Sequence, residues 1–167
     1  MKRVHIIGGK NHGKTTLVTK LVEELSARGY RVGTIKHTHH RHELDAPGKD
    51  SHRHREAGAA VVGILSRSMN AVFWQPEEST ESIRDQRYDG FAPLFAECDL
   101  VLVEGDSRTS EPKIEVWRKS LGTPPLAEKD ASIAAIVTDD DVQIGSPVWV
   151  LSNVSDLAKK ILSLATE

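Results

Sequence analysis

The segment that most constrains the fold of this chain is a glycine-rich stretch near its start, Gly8-Gly9-Lys10-Asn11-His12-Gly13-Lys14-Thr15-Thr16. It fits the pattern G-x-x-x-x-G-K-[ST], in which a loop cradles phosphate groups. The short apolar run Val4–Ile7 precedes it, and apolar residues at helical spacing follow from Leu17 to Leu25. A strand, a loop and a helix in this order are the context that the motif requires, so the segment predicts a nucleotide-binding phosphate loop.

Each part of this loop has a chemical role. Gly8 and Gly13 let the backbone curl and approach phosphate oxygens, because no Cβ stands in the way. The N–H groups of the loop and of the first helical turn are donors for an anion. We expect Lys14 to reach the outer phosphates and the Thr15 hydroxyl to join the shell of a magnesium ion. The predicted nucleotide contacts are Gly8, Gly9, Lys10, Asn11, His12, Gly13, Lys14, Thr15 and Thr16.

A second strongly apolar strand ends in an acidic residue, which phosphoryl chemistry needs near its magnesium ion. The run Leu100–Val103 leads into Glu104, and Gly105 after it allows close backbone approach. Asp99 lies at the opposite end of this strand, so we predict that Glu104 is the magnesium-binding and catalytic carboxylate. A carboxylate that only caps the end of the strand is the alternative interpretation.

Apolar strands that alternate with helices predict an α/β fold with a mostly parallel central sheet flanked by helices, the three-layer fold of P-loop NTPases. We expect one domain over residues 1–167. The predicted strands are Val4–Ile7, Tyr30–Ile35, Ala59–Leu65, Ala71–Trp74, Leu100–Val103, Ile114–Trp117, Ile133–Val137 and Val148–Leu151. The predicted helices follow Lys14, begin at Asp50 or Ser51, cover Phe91–Ala96, and begin again at Asn153 or Ser155.

The composition excludes several classes of protein. With 22 Lys+Arg against 24 Asp+Glu, the formal charge of −2 gives no support for bulk binding to nucleic acid. No apolar run approaches the roughly 18 residues of a membrane helix, and the apolar start is too short for a signal peptide. The single cysteine, Cys98, cannot close an intramolecular disulfide. We therefore expect a cytoplasmic protein that contacts neither membranes nor nucleic acid.

Six of the eight histidines lie between Lys36 and Arg55, in a segment with five Lys or Arg and three Asp or Glu. Three interpretations stay open for this segment. The first is an anion-binding surface built from Lys49, Ser51 and Arg55, together with Arg53. The second is a solvated loop without a ligand. The third is a metal site, for which the signal is weak. The histidines concerned are His37, His39, His40, His42, His52 and His54.

Two carboxylates in the same segment, Asp45 and Asp50, are further candidates to bind magnesium or to position a water molecule. Asp50 is also the general base that a small-molecule kinase would need, so we count it among the catalytic candidates. The strand Lys113–Arg118 alternates charged and apolar residues, and its charges are either functional or merely exposed.

Taken together, these residues resemble the molybdopterin-guanine dinucleotide biosynthesis protein B (MobB) family. The resemblance spans nearly the whole chain, and the order of its blocks is more specific than any one of them. The blocks are Gly8–Thr16, Gly33–His37, Pro47–Ser51 followed by Arg55 and Ala57–Ala59, Asp99–Gly105, and Pro112–Glu115.

The resemblance implies a GTP-binding P-loop protein, usually a homodimer, with weak intrinsic GTPase activity. Such proteins assist a guanylyltransferase that joins GMP to molybdopterin, so that GTP, Mg²⁺, this transferase and molybdopterin-bearing enzymes are the expected cofactors and partners. By the matching motifs, Gly13, Lys14, Thr15 and Thr16 hold phosphate, and Glu104 lies by the magnesium. Asp106 stands where the family usually has an aromatic residue, which leaves the packing at this position open.

Two other functions compete with this one. The histidines suggest a metal-insertion P-loop GTPase, and Asp50 suggests a small-molecule kinase. No N-K-x-D element occurs in the chain, so the preference for GTP over ATP depends on the resemblance alone.

Overall fold

The computed structural model describes residues 1–38, 43–75 and 85–166. The chain divides into two compact units, one of Met1–Thr38 with Tyr88–Glu167 and the other of His39–Arg87. The expectation of one domain over residues 1–167 stays a prediction.

The helices and strands follow the order that the sequence predicts. They are β1 (Arg3–Ile7), α1 (Lys14–Ala27), β2 (Val32–Lys36), α2 (Asp50–Glu56), β3 (Val61–Ile64), β4 (Ala71–Trp74), β5 (Leu100–Glu104), β6 (Lys113–Val116), β7 (Ile133–Thr138), β8 (Val148–Val150) and α3 (Val154–Leu164). Within the described residues, 3-10 segments cover Asp85–Phe95, Lys119–Leu121 and Leu126–Glu128.

The first unit contains a six-stranded sheet in the order β2-β5-β1-β6-β7-β8. Every neighbouring pair is parallel, and the register places Ile6 beside Glu104 and beside Ile114. The predicted α/β fold is therefore confirmed. Because β1 lies between β5 and β6, the loop that follows β1 has the ends of these two strands on either side.

The two faces of this sheet pack against different partners. Alternate residues of the strands, among them Val4, Ile6 and Leu102, form the largest core with α1 and α3. The intervening residues pack on the other face, where Val101 and Val103 contact Tyr88 of the 3-10 segment Asp85–Phe95. Near-continuous burial of β1 and β5 is what a parallel sheet covered on both faces requires.

Helix α1 begins at the phosphate loop because Gly13, with φ of 103°, turns the chain into it. Leu17, Leu21 and Leu25 recur at helical spacing and are buried. Helix α3 begins after Asn153, whose side chain accepts a hydrogen bond from the N–H of Asp156, as the sequence predicts for a capping residue. No helix of the described ranges is long and apolar enough to cross a membrane.

The segment at Phe91–Ala96 differs from its prediction. The structure has a 3-10 helix over Asp85–Phe95, not an α-helix, and Pro93 lies inside it. Proline lacks the N–H that an α-helix interior uses, which explains the difference. The polar, acidic stretch Glu77–Tyr88, for which the sequence predicts an exposed helix or loop, lies outside the described residues up to residue 84.

The second unit contains α2 and an antiparallel pair, β3 and β4, joined in a two-stranded sheet of their own. Val62 is buried, whereas Val61 and Val72 are exposed on the other face of the pair. Both predicted strands exist in this region, although β3 is shorter than the predicted Ala59–Leu65.

Candidate nucleotide-binding site

The phosphate loop follows β1 and precedes α1, where the sequence places it. Gly8 and Gly13 have φ of 138° and 103°, which favour glycine. A Cβ on Gly8 would collide with the carbonyl oxygen of Val116 in the neighbouring strand. Asn11 also has a positive φ, 66°, a conformation that asparagine tolerates better than most residues. The loop therefore has the tight, positive-φ backbone that its glycines predict.

The ammonium of Lys14 lies over the start of this loop. Its Nζ donates hydrogen bonds to the carbonyl oxygens of Gly8 at 3.0 Å and Gly9 at 2.7 Å. Burial lowers the pKa of Lys14, and Lys36 lowers it further, while Glu104 opposes the shift. Phosphate oxygens would give this cation a stronger partner than two neutral carbonyls.

Thr15 and Glu104 meet, as the predicted magnesium site requires. The Thr15 hydroxyl donates to Glu104 Oε1 at 2.8 Å, and Lys36 Nζ lies 3.3 Å from the same oxygen. Lys36 reaches Glu104 because β2 and β5 pair in a register that places the two residues side by side. A hydroxyl and a carboxylate are the oxygen ligands that Mg²⁺ prefers, so the residues fit this ion.

A cavity of about 420 Å³ opens over the loop. Its volume is in the range of small-ligand sites. A second cavity of about 360 Å³ runs along α1 and β2 and shares Thr15, Lys36 and Glu104 with the first. The first cavity is lined by Lys10, Asn11, Gly13, Lys14, Thr15, Thr16, Lys36 and Glu104.

His12 is a buried part of the loop rather than an exposed one. Its Nδ1 accepts the N–H of Arg118 at 3.0 Å, so Nε2 carries the proton and donates to Thr123 Oγ1 at 3.0 Å. Burial lowers the pKa of His12, as do the nearby charges of Lys14 and Arg118. The imidazole is therefore neutral, and a Cβ on Gly9 would lie 2.7 Å from its ring.

Sequence analysis missed two basic residues at this site, Lys36 and Arg118. Arg118 Nε donates to the carbonyl oxygen of His12 at 2.9 Å, and Nη2 lies 3.1 Å from where a Cβ on Gly13 would be. Lys36 was visible only as part of a family block, and Arg118 only as the end of a charged strand. The signal for both was their position: Lys36 ends β2, which pairs with β5, and Arg118 follows β6, which pairs with β1.

The charges within β6 are neither exposed nor in the cavity over the loop, which corrects the expectation that they are functional or merely exposed. Lys113 and Glu115 are buried. Lys113 Nζ lies 2.9 Å from Asp130, and the Glu115 carboxylate accepts the N–H groups of Leu126 and Ala127. Burial raises the pKa of Glu115. These charges hold the chain that follows β6.

Asp106, for which the resemblance left the packing open, is also buried. It accepts a hydrogen bond from the Tyr88 hydroxyl at 2.8 Å and has a φ of 59°. Asp139, which follows β7, accepts the N–H of Ser152 at 2.8 Å, as a turn residue does.

The remaining predicted site residues lie in the second unit. Lys49 and Asp50 are exposed at the start of α2. Ser51 Oγ donates to Asp45 at 2.9 Å, and Arg55 pairs with Glu43 at 2.6 Å. Roles of Lys49, Asp50, Ser51 and Arg55 at the nucleotide stay predictions.

The structure describes only some of the histidines for which the metal site is predicted. His39, His40 and His42 lie outside the described residues. His52 lies 3.5 Å from Glu43 and 3.3 Å from Glu56. Across the described ranges, no group of three or more His, Cys, Asp or Glu is arranged to hold a metal ion.

Comparison with known proteins assigns the chain to a family. The family model described as molybdopterin guanine dinucleotide synthesis protein B (MobB) matches residues 3–139. The chain belongs to the MobB family. This membership links it to the synthesis of molybdopterin guanine dinucleotide.

Relatives agree with this assignment over most of their length. A molybdopterin-guanine dinucleotide biosynthesis adapter protein of Haemophilus influenzae is 36% identical over 92% of this chain and 83% of the relative. Its counterpart of the same name in Escherichia coli is 35% identical over 87% of this chain and 83% of the relative. A crystal structure described as molybdopterin-guanine biosynthesis protein B is 28% identical, with a TM-score of 0.71 over 99% of both chains.

Proposed function

We propose that this protein is a GTP-binding adapter in molybdopterin guanine dinucleotide biosynthesis that assists a partner guanylyltransferase and hydrolyses GTP slowly with Mg²⁺. The observation that carries the proposal is the contact of Thr15 with Glu104 beside a phosphate loop, in a chain of the MobB family. The names of the two bacterial relatives support the adapter role.

The residues of the loop divide the work of binding. Lys14 leaves the carbonyl oxygens of Gly8 and Gly9 and neutralises the outer phosphates. The Thr15 hydroxyl and the Glu104 carboxylate hold Mg²⁺, which supplies charge neutralisation to the phosphates when it is bound. Lys36 keeps the carboxylate in place through its ion pair.

The surroundings of Glu104 favour slow hydrolysis. Its Oε1 already accepts the Thr15 hydroxyl and pairs with Lys36, so the carboxylate is suited to hold an ion rather than to take a proton from water. A protein that hydrolyses GTP slowly holds the intact nucleotide for longer. This property suits an adapter better than it suits a metabolic enzyme.

Hydrolysis of GTP by the purified protein tests this proposal. We expect slow, Mg²⁺-dependent turnover that Lys14→Ala abolishes. Lys20→Ala removes an exposed lysine from the same helix and should leave turnover unchanged. Turnover as fast as that of metabolic kinases contradicts the adapter role, whereas turnover that survives Lys14→Ala contradicts hydrolysis at the phosphate loop.

Binding to the partner needs a separate experiment. We expect the protein to bind a molybdopterin guanylyltransferase, and molybdopterin-bearing enzymes in turn, and to bind the transferase more tightly with GTP than with GDP. Analytical ultracentrifugation of the mixture measures this. Sedimentation of the two proteins as separate species with either nucleotide refutes the assisting role.

We also propose that the protein is a cytoplasmic homodimer. On one face of β3 and β4, Val61 is 63% exposed and Val72 is 43% exposed, an apolar surface that supports self-association. Val61→Lys should convert the dimer to a monomer, whereas exposed Lys49→Gln should not. Sedimentation equilibrium measures both, and a monomeric wild-type protein contradicts the proposal.

A further inference from the structure

A cation lies on the side of the phosphate loop opposite Glu104. The sheet places β1 between β5 and β6, so the loop after β1 has the ends of these strands as neighbours. Glu104 ends β5, and Arg118 follows two residues after the end of β6 at Val116. The loop thus has its magnesium-binding carboxylate on one side and a guanidinium on the other.

The guanidinium of Arg118 is held in place by the loop itself. Nε donates to the carbonyl oxygen of His12 at 2.9 Å, and the backbone N–H of Arg118 donates to Nδ1 of the same histidine at 3.0 Å. Nη2 lies 3.1 Å from the position that a Cβ on Gly13 would occupy. This arrangement fixes the side chain next to the residue that precedes Lys14.

The charge of Arg118 is not neutralised within the described part of the chain. Its side chain is exposed, and no ion pair joins it to a described carboxylate. A guanidinium has five N–H donors, and the contact with His12 uses only the one on Nε. The terminal N–H groups are left for another acceptor, and a fork of such donors suits phosphate oxygens.

We propose that Arg118 binds the inner phosphates of the nucleotide, those that GDP and GTP share. The proposal rests on the proposed binding of nucleotide at the loop. Thr15 and Glu104 would hold Mg²⁺ on the β5 side of the loop, where the ion would neutralise the outer phosphates. Arg118 lies on the β6 side, so its guanidinium meets the remaining phosphate oxygens. His12 is the positioning residue, because its carbonyl oxygen and ring nitrogen hold Arg118.

Calorimetric titration of Arg118→Gln with Mg-GTP, Mg-GDP and pyrophosphate tests this proposal. We expect affinity for all three to fall by a similar factor of about ten, the effect of losing a charge-assisted hydrogen bond at an exposed site. The matched control is Lys119→Gln, which removes an equal charge from the next, also exposed residue and should change affinity by no more than about twofold.

A second variant, Arg118→Lys, keeps the charge and loses Nε. Its affinity for the three ligands should lie between those of wild type and Arg118→Gln, because the lysine ammonium cannot be held at His12 as the guanidinium is. The backbone contact with His12 Nδ1 survives both substitutions, so both proteins should fold.

Several results overturn the proposal. If Arg118→Gln binds all three ligands as tightly as wild type does, Arg118 does not contact the phosphates. A loss for both nucleotides but not for pyrophosphate assigns Arg118 to the nucleoside, and a loss for GTP alone assigns it to the outermost phosphate. If the wild-type protein binds pyrophosphate but not GTP, the proposed function is refuted. The pyrophosphate titration of Arg118→Gln then still tests whether Arg118 binds phosphate. Binding of neither refutes both.

Discussion

Removal of the His12 side chain should destabilise the first unit markedly. The ring accepts the N–H of Arg118 and donates to the Thr123 hydroxyl, both at 3.0 Å, and it is buried beneath Gly9. Each hydrogen bond contributes about 1 kcal/mol, and the lost packing contributes a similar amount. We therefore expect His12→Ala to lower the free energy of unfolding by about 3 kcal/mol.

Urea denaturation followed by far-UV circular dichroism measures this change. The control is Lys10→Ala, which alters an exposed side chain of the same loop and should cost less than about 0.5 kcal/mol. If His12→Ala lowers the free energy of unfolding by less than about 1 kcal/mol, the two hydrogen bonds of His12 do not stabilise the fold as expected.

The pH dependence of this difference follows from the lowered pKa of His12. An unfolded histidine takes up a proton below about pH 6.5, whereas folded His12 stays neutral to lower pH. The unfolded state then binds more protons, so the stabilisation by His12 falls as the pH drops below this value. We expect the difference between wild type and His12→Ala to shrink between pH 7 and the lower folded pKa, and a constant difference contradicts the shift.

Two further predictions concern Glu104 and Glu43. Glu104→Gln should keep the hydrogen bond from Thr15 but lose the ion pair with Lys36, and Mg²⁺ should then no longer tighten GTP binding. Titrations of GTP with and without Mg²⁺ check this. If Mg²⁺ still tightens GTP binding to Glu104→Gln as much as to wild type, other residues bind the ion. The hydrogen bond from Arg55 lowers the pKa of Glu43 to about 2, so Arg55→Gln should return it towards 4.5 in an NMR titration of the carboxyl carbons. A pKa already near 4.5 in wild type refutes the ion pair.

The part of the site that could be predicted from sequence is the part encoded locally. The phosphate loop has fixed spacing between its glycines and Lys14, and the strand and helix on either side have unambiguous patterns. Glu104 could be predicted because it ends an apolar strand, where phosphoryl chemistry needs an acid, and its partner, Thr15, belongs to the motif. Both inferences needed no knowledge of how distant segments pair.

The rest of the site depends on contacts between distant residues. Alternation in Lys113-Ile114-Glu115-Val116 is typical of a half-exposed strand, yet β6 is buried on both faces of a parallel sheet. Its charges are satisfied by Asp130 and by N–H groups at residues 126 and 127. Arg118 contacts the phosphate loop for the same reason, because β6 pairs with β1. No local sequence pattern predicts that pairing.

We propose above all that this MobB family member binds GTP through its phosphate loop. Equilibrium titration of wild type and Lys14→Ala with GTP and ATP, in the presence of Mg²⁺, tests it most directly. We predict that wild type binds GTP more tightly than ATP and that Lys14→Ala loses at least about tenfold in GTP affinity. Equal affinity of the two proteins for GTP, or no binding of GTP by wild type, contradicts the claim.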